Sequence, residues 1–435
     1  MENFQGDVMR KWIYLYGANK WNNRIFNKFT FLIESQYWSI DKLREFQLNN
    51  LKSLLYIAYN NTTFYKDKYD RSGFHPREVN SLEDIRKVPM LSKNELLVNS
   101  DKIQIKKDGE KLYFAETSGS TGKPLVFYRD QDWDAWNRAS MYRGYSWYNV
   151  DPWERNGYLW GYNFSLLKQM RVKFLDELQN RFRLFSYNED NIKRFLSKLE
   201  DAAFLSGYSS MIFELSKEIN KIGTNRYHKI KMVKGTSEKI YDSYQDDVIQ
   251  AFGKKMISEY GAAETGLIAF ECPSGSMHIN METVIVEEED SEIVITNLIS
   301  KSFPVIRYKL GDYIELGGII KCSCGRNHLT VKDVLGRTGK VIYGFKEKYP
   351  SLTLYYVFKN LAIENKIILN YVAIQKGKGE IEIHIERKIT EHEKNMFMLE
   401  YTKYFKNDLR LNLLDGSIIR QEKAKKTDFI SYVNE

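Results

Sequence analysis

Nine consecutive residues, 116–124, constrain this chain more than any other stretch. They read Glu-Thr-Ser-Gly-Ser-Thr-Gly-Lys-Pro, with two glycines, four hydroxyls and one lysine between Thr117 and Lys123. The apolar and aromatic stretches 111–115 and 125–128 on either side predict two β-strands. Glycine allows the positive φ angles that turn successive backbone N–H groups towards one anion. We therefore expect a strand–loop–strand segment that binds phosphate.

This loop differs from the P-loop of nucleoside triphosphatases. That motif has four residues between its first glycine and a Gly-Lys pair, which Ser or Thr follows. Here only two residues separate Gly119 from Gly122, and Pro124 follows the lysine. Proline resists a helix that begins at once. The sequence therefore predicts a phosphate loop of another kind, with a flexible surface turn as the alternative.

The loop resembles the phosphate loop of adenylate-forming enzymes, which make acyl-AMP from a carboxylic acid and ATP. Within that superfamily the chain is similar to the phenylacetate–CoA ligase and CapK-like branch. Further blocks resemble the family in the same order and at similar spacing. These blocks are the helical stretch 51–65 and the segments 81–93, 235–238, 258–264, 307–312 and 336–337.

Length and periodicity favour an α/β fold with two domains. A chain of 435 residues is longer than one core usually holds. Residues 191–200 carry apolar side chains at helical spacing and 292–299 form an apolar, strand-like run, which predicts a large domain with mixed sheets and flanking helices at 1–336. Alternation at 380–386 predicts a hairpin strand. The resemblance implies a small, mobile α+β lid at 337–435.

The resemblance assigns the phosphates and the magnesium ion to particular side chains. Adenylation is an in-line attack of a carboxylate on the α-phosphate of ATP, so positioning and charge neutralisation dominate. Mg²⁺ prefers one or two carboxylates together with phosphate oxygens, and the implied ligand is Glu264, whose alternative is a solvated surface acid. The β- and γ-phosphates would be held by Thr117, Ser118, Gly119, Ser120, Thr121, Gly122 and the catalytic Lys123.

The nucleoside would be held by residues from four blocks. Tyr260, next to Gly261, would stack on the adenine, although a core aromatic is the alternative. Asp312 would accept hydrogen bonds from the ribose hydroxyls, because an ionised carboxylate has several acceptor lone pairs and no donor. Arg337 would reach the ribose or a phosphate. The residues implied to line the adenine edge are Gly235, Ser237 and Glu238.

The lid is implied to supply a catalytic lysine, Lys425, that neutralises charge on the attacking carboxylate and the α-phosphate. The family normally has glycine before this lysine, and here Ala424 precedes it. The lid would turn about 336–340, where most members carry an acid at the position of Lys340. A solvated basic tail is the alternative, and the neighbours that compete for the catalytic role are Lys423 and Lys426.

A second group of residues predicts a structural zinc site. The three cysteines of the chain, Cys272, Cys322 and Cys324, fall in one region, and His278 follows the first of them. Zinc takes four Cys or His ligands in a tetrahedron. His328 competes as the fourth ligand. Three reduced cytosolic thiols are the alternative, since an exposed disulfide is unfavourable in the cytosol.

Charge and hydropathy indicate a cytoplasmic protein. The net charge of +8 is mild for this length and predicts no nucleic-acid partner. No apolar run reaches the ~18 residues of a spanning helix, and the first residues lack the basic and apolar regions of a signal peptide. The C-terminal lysines allow a weak, peripheral attraction to the inner face of the membrane. A homodimer is also compatible with the sequence.

The resemblance implies activation of a small carboxylic acid, release of pyrophosphate and acyl transfer to a thiol, amine or hydroxyl. CapK-like relatives sit among surface-polysaccharide genes, which favours a sugar nucleotide or lipid-linked sugar as acceptor. Coenzyme A, the acceptor of phenylacetate–CoA ligases, is the alternative. An inactive nucleotide-binding or scaffold protein is the second alternative. The acyl pocket is implied near 160–163, Tyr208 and 261–266, where no residue identifies the acid.

Overall fold

The structure is a computed structural model that describes residues 2–106, 109–117, 125–159, 166–184, 189–223, 226–337, 341–346, 348–367, 369–416 and 429–433. Its helices are α1 (Glu2–Trp21), α2 (Ile25–Ser35), α3 (Ile40–Asn61), α4 (Thr63–Ser72), α5 (Lys93–Val98), α6 (Ser100–Ile103), α7 (Gln131–Ser146), α8 (Leu166–Leu178), α9 (Glu189–Leu199), α10 (Ser209–Ile222), α11 (Asp242–Phe252), α12 (Leu352–Asn365) and α13 (Glu391–Phe405). Short 3-10 turns lie at Pro76–Glu78 and Glu83–Lys87.

The strands of the first part of the chain are β1 (Tyr113–Glu116), β2 (Val126–Arg129), β3 (Asn156–Leu159), β4 (Arg181–Arg183), β5 (Phe204–Tyr208), β6 (Met232–Thr236), β7 (Met256–Ala262), β8 (Gly266–Glu271), β9 (Met277–Ile279), β10 (Val284–Glu289), β11 (Glu292–Asn297), β12 (Tyr308–Gly318) and β13 (Thr330–Arg337). The later strands are β14 (Val341–Tyr343), β15 (Lys348–Pro350), β16 (Tyr371–Gly377), β17 (Glu380–Ile385), β18 (Arg410–Asp415) and β19 (Phe429–Ser431).

One mixed sheet of eleven strands organises the large part of the molecule, in the order β10-β11-β12-β13-β9-β8-β7-β6-β5-β3-β4. Along this order, the neighbours β4, β3, β5, β6 and β7 are parallel to one another. From β7 through β8, β9, β13, β12 and β11 to β10, each strand is antiparallel to the next. The carboxyl end of β7 therefore lies where the parallel part of the sheet meets the antiparallel part.

The stretch 51–65, expected as one helix, is divided between two. Thr62 has extended backbone angles, with φ −130° and ψ 135°, so α3 ends at Asn61. The Thr62 hydroxyl accepts a hydrogen bond from the Tyr65 N–H (3.1 Å) and thereby begins α4. Threonine is a good N-cap because its side chain satisfies an amide that the first turn leaves without a partner. One residue thus ends one helix and starts the next.

The smaller C-terminal sheet confirms the predicted α+β region. Its order is β18-β17-β16-β19, and β16 and β17 form the predicted hairpin. Ile381, Ile383 and Ile385 are buried on one face of β17, where they pack with apolar residues of α12 and α13 in a core of their own. The fold class predicted from the sequence is therefore confirmed. The domain boundary at 336/337 stays a prediction.

Candidate active site and metal centre

The neck of the phosphate-loop candidate is a short antiparallel hairpin of β1 and β2. Glu116 lies opposite Val126, the Thr117 N–H donates to the Leu125 carbonyl at 3.0 Å, and the Leu125 N–H donates to the Thr117 hydroxyl at 2.9 Å. Both strands are confirmed. The Thr117 side chain closes the base of the loop. The other loop residues, Ser118, Gly119, Ser120, Thr121, Gly122 and Lys123, lie outside the described residues.

Two side chains near the end of β7 meet two side chains of β12. The Tyr260 hydroxyl donates to Asp312 Oδ2 at 2.8 Å, and the Tyr308 hydroxyl donates to Glu264 Oε1 at 3.3 Å. Asp312 and Glu264 are each 8% exposed. The structure therefore brings residues of two separate sequence blocks together: Tyr260 and Glu264, the candidates for adenine and magnesium, and Asp312, the candidate for the ribose.

The sheet must curl for these contacts to form. Strands β8, β9 and β13 lie between β7 and β12, so a flat sheet would hold them about 19 Å apart at the usual strand spacing. A β-bulge between Tyr260 and Gly261 adds local twist and re-aims side chains. A Cβ on Gly261 would lie 2.6 Å from the Gly266 carbonyl oxygen, so glycine is needed where the chain turns back.

The remaining nucleotide candidates lie near these four side chains in the sheet. Gly235 of β6 is in register with Ser258 of β7, and Ser237 follows with a φ of +65°. The Glu238 carbonyl accepts a hydrogen bond from the Ser209 hydroxyl at 3.2 Å. Backbone strain of this kind often marks a functional turn. The roles of Gly235, Ser237 and Glu238 towards adenine stay predictions.

Gly235 also has a packing reason to be glycine. A Cβ there would lie 2.6 Å from the Ser209 hydroxyl and 2.8 Å from the Met256 sulfur.

Arg337 lies directly opposite Asp312 in the β12–β13 pair, although its side chain is outside the described part. Tyr208, at the end of β5, is in register with Thr236, so the acyl-pocket candidate and the adenine candidates share one edge. Residues 160–163 lie outside the described ranges.

A buried ion pair joins the adjacent strands β6 and β7, and the sequence analysis did not predict it. Lys234 of β6 lies 2.6 Å from Glu259 of β7 and 3.2 Å from the Tyr145 hydroxyl. Burial opposes the charged form, but the Glu259 carboxylate outweighs it and holds the pKa of Lys234 above its usual range. A lysine within the otherwise apolar run of β6 was the available signal.

Cys272, His278, Cys322 and Cys324 place their ligand atoms within 4.8 Å of one another. Cys272 follows β8, His278 lies in β9, and the other two lie between β12 and β13. The Cys272 and Cys322 sulfurs are 3.8 Å apart, and the Cys324 sulfur is 3.2 Å from His278 Nε2. Two thiolates bound to zinc at 2.3 Å in a tetrahedron would be about 3.8 Å apart. The donor set therefore fits a zinc ion.

The pKa shifts of His278 and Cys322 favour metal binding, whereas that of Cys272 opposes it. Burial lowers the pKa of His278 to about 4, so its imidazole is neutral at pH 7, as a ligand must be. Burial raises the pKa of Cys272 to about 11. Burial acts in the same direction on Cys322, but hydrogen bonds from Ser276 and Cys324 outweigh it and lower the pKa to about 7.

His328, the competing fourth ligand, is engaged elsewhere. Its Nε2 lies 3.1 Å from both carboxylate oxygens of Glu282. Glu282 also binds Arg143 at 2.7 Å and accepts from the Ser35 hydroxyl at 2.6 Å. Burial would raise the pKa of Glu282, but Arg143 and His328 hold it well below its usual range. This buried network, which the sequence did not predict, ties α7 and α2 to the loop behind the cysteines.

Comparisons with known proteins bear on the family of the chain. The chain is 25% identical to Protein CapK of Staphylococcus aureus over 320 residues, which is 69% of this chain and 70% of that protein. It is 36% identical to phenylacetate-coenzyme A ligase of Escherichia coli (strain K12) over 101 residues, 22% of this chain and 23% of that enzyme. The chain is a member of the adenylate-forming superfamily, in its CapK and phenylacetate–CoA ligase branch.

The fold is also similar to that of a solved ligase. A 2-hydroxyisobutyryl-CoA ligase, solved with its acyl-adenylate, superposes with a TM-score of 0.70 at 17% identity, covering 91% of both chains. No protein-family model matches the chain. The membership makes this protein an enzyme of the adenylate-forming ligase class.

The lid candidates Lys423, Lys425 and Lys426 and the hinge residues 338–340 lie outside the described residues. Among the described residues, none of the helices has the length and apolarity to span a bilayer.

Proposed function

We propose that this enzyme uses ATP to convert a small carboxylic acid into an acyl-adenylate, and then transfers the acyl group to an acceptor. The observation that carries the proposal is the meeting of Tyr260 with Asp312 and of Glu264 with Tyr308 at the end of β7. These pairs would bring an acid for the ribose and an acid for the metal together between the end of β7 and β12. The hairpin that carries the Ser/Gly/Thr loop supplies the anion site.

The first half-reaction forms a bond between a carboxylate oxygen and the α-phosphorus. The bond from that phosphorus to the bridging oxygen breaks, and pyrophosphate leaves with the electron pair. The chain's residues orient the nucleotide and neutralise charge, which is what in-line phosphoryl chemistry requires. Asp312 would accept from the ribose hydroxyls, Tyr260 would lie against the adenine, and Lys123 with the loop amides would hold the phosphates.

Glu264 would hold a magnesium ion, which supplies charge neutralisation on the phosphates. Its carboxylate fits this use because it is buried, its Oε1 already accepts from Tyr308, and Mg²⁺ takes few protein ligands when phosphates supply the rest. The second half-reaction is attack of the acceptor heteroatom on the acyl carbon, and AMP leaves with its phosphate oxygen. Lys425 would act from the lid in the first half-reaction only.

We propose a sugar amine or hydroxyl as the acceptor, in surface polysaccharide (capsular or O-antigen) biosynthesis. The support is the relation to CapK, which extends over 69% of this chain. Coenzyme A is the second candidate, favoured by the resemblance of the fold to a ligase that was also solved with coenzyme A. Pyrophosphate exchange measured across a set of carboxylic acids tests the first half-reaction and identifies the acid.

Transfer assays from the acyl-adenylate to coenzyme A, to amino sugars and to sugar nucleotides then separate the acceptors. Exchange with one class of acid supports the enzyme. Tight ATP binding without exchange for any acid would support the inactive nucleotide-binding alternative, and failure to bind ATP would support a scaffold.

We also propose that Cys272, His278, Cys322 and Cys324 bind one structural zinc ion. Four protein ligands close the tetrahedron and leave no position for water or substrate, which is typical of structural rather than catalytic zinc. The ion would join β8, β9 and the loop between β12 and β13, so its contribution would be to folding.

A further inference from the structure

Two helices of the large domain, α1 and α8, expose large apolar side chains. On α1 the exposed side chains are Met9 (62%), Trp12 (68%) and Tyr16 (66%), which lie on one face at i, i+3 and i+7. On α8 they are Met170 (69%) and Phe174 (66%), one helical turn apart. Soluble proteins rarely expose a contiguous apolar patch of this kind without a partner. We call these five residues the apolar face.

The two helices lie beside each other. They are in direct contact, and the Arg10 guanidinium of α1 donates to the Asn180 side chain immediately after α8. The inner side of α1 is fixed by the Tyr14 hydroxyl, 2.6 Å from that of Tyr142. The exposed stripes therefore belong to two helices that are in contact with each other.

The charge of the two helices near the apolar face is mostly basic. Residues 8–21 and 166–177 contain six Lys or Arg and two acids, Asp176 and Glu177. Asp176 is buried and paired with Arg183 at 2.9 Å, which leaves Glu177 as the exposed acid of these stretches. The basic side chains of the two stretches are Arg10, Lys11, Lys20, Lys168, Arg171 and Lys173.

We propose that the apolar face docks the enzyme on the surface of an anionic lipid bilayer. Helices with an apolar face and basic flanks lie in the headgroup region, with their apolar side chains in the acyl boundary. Tryptophan and tyrosine are enriched at that depth because their rings are amphipathic. Trp12 and Tyr16 supply such rings, and Lys20 lies 5.7 Å from the Tyr16 ring centre, where its ammonium can meet phosphate.

A second copy of the chain fits this face less well. A twofold contact places the same patch against itself, so basic side chains of one copy would face basic side chains of the other across an apolar centre. In residues 8–21 and 166–177 one exposed acid, Glu177, stands against six Lys or Arg, which is too little to offset that repulsion. An anionic bilayer complements the same charges and covers the same apolar side chains.

Co-sedimentation of the full-length protein with vesicles tests the proposal. We expect binding to vesicles of phosphatidylcholine with phosphatidylglycerol, weaker binding to phosphatidylcholine alone, and weakening at high salt. The double variant Trp12→Ser with Phe174→Ser should reduce partition about tenfold or more. Replacing Lys20 and Arg171 by Gln should reduce it about fivefold for each charge removed.

The matched control is Ile222→Ser, which removes an exposed apolar side chain (57%) from α10 and should leave binding unchanged. Circular dichroism and melting temperature confirm that each variant is folded. Absence of vesicle binding by the wild type, or equal binding by the Trp12/Phe174 variant, would overturn the proposal. So would a stable dimer in solution that this variant converts to a monomer, because a second copy would then occupy the face.

Discussion

The Tyr260 hydroxyl lies 2.8 Å from Asp312 Oδ2, although three strands separate β7 from β12 in the sheet. This hydrogen bond links the proposed adenine platform to the proposed ribose acid. One residue would therefore position the other, and nucleotide affinity should depend on both.

Removal of this hydrogen bond should weaken ATP binding while the fold is retained. Tyr260→Phe keeps the ring but removes one hydrogen bond that orients Asp312, which should cost about 1 kcal/mol and raise the KM for ATP roughly fivefold in pyrophosphate exchange. Asp312→Asn should have a larger effect, because an amide is uncharged and has one acceptor oxygen where the carboxylate has two. Tyr56→Phe, an equivalent change at an exposed tyrosine (42%), is the control. An unchanged KM in both site variants would contradict the ribose assignment.

The charged residues at the phosphates should act mainly on kcat. Glu264→Gln keeps the shape of the side chain but removes the charge offered to magnesium, and Lys123→Ala removes a cation from the phosphate loop. Loss of one such electrostatic contact lowers kcat by about 10²–10³. Adenylation rates over a magnesium titration measure the effect, with Glu315→Gln as the surface control. Adenylation at the wild-type rate in both variants would contradict this active-site assignment.

The purified protein should contain about one zinc ion per chain. Cys324→Ser and His278→Ala should lose the metal, whereas His328→Ala should retain it because His328 binds Glu282.

Strong chelation should lower the melting temperature, since structural zinc contributes folding free energy. Zinc affinity should rise with pH, because Cys272, with a pKa of about 11, must lose its proton on binding. Metal analysis and calorimetry provide the measurements. Metal retained in both ligand variants would show that the ligand set is wrong.

The buried Glu282–Arg143 pair should matter far more than a surface pair. Glu282→Ala leaves the Arg143 charge without its partner inside the protein, which should cost about 3–5 kcal/mol of unfolding free energy. The exposed pair Lys332–Glu315 offers the matched control, since Glu315→Ala should cost less than about 1 kcal/mol. Urea denaturation measures the free energy of unfolding of the Glu282→Ala and Glu315→Ala variants. Similar losses for the two variants would argue against the network.

Acid should weaken the same network. Arg143 and His328 hold the pKa of Glu282 below its usual range, so the unfolded state binds the proton more readily. The contribution of Glu282 is therefore complete above the unfolded pKa of about 4.3 and is lost as the pH falls below it. The wild type should lose more stability than Glu282→Gln between neutral and acidic pH.

The proposed lid should separate the two half-reactions. Lys425→Ala should depress acyl-AMP formation far more than transfer from preformed acyl-AMP, because its charge is needed only while the carboxylate attacks. Gly339→Pro should slow transfer or both steps, since proline fixes φ and restricts the preceding residue. Lys423→Ala and Lys426→Ala are the controls. If Lys423→Ala lost adenylation while Lys425→Ala adenylated normally, the catalytic lysine would be Lys423, two residues before the proposed one.

Local patterns in the sequence were enough to predict individual strands and the group of candidate metal ligands. Alternating apolar residues predicted β17, and clustering of the three cysteines with His278 predicted the metal group. The curl that brings Tyr260 to Asp312 depends on pairing between distant strands, which no local pattern encodes. The break at Thr62 was missed because the helical spacing of apolar residues continues across it. Glu282 and Lys234 were missed because isolated charges in apolar stretches acquire a meaning only from their partners.

The β12–β13 hairpin has the cysteine loop at its closed end, with Asp312 and Arg337 opposite each other near its open end. Three register shifts interrupt the pairing between these ends, and a slip of one residue would turn every side chain to the other face. A metal at the closed end would lock the alignment of the hairpin. The thiolates would then set, from a distance, the direction in which the Asp312 carboxylate points.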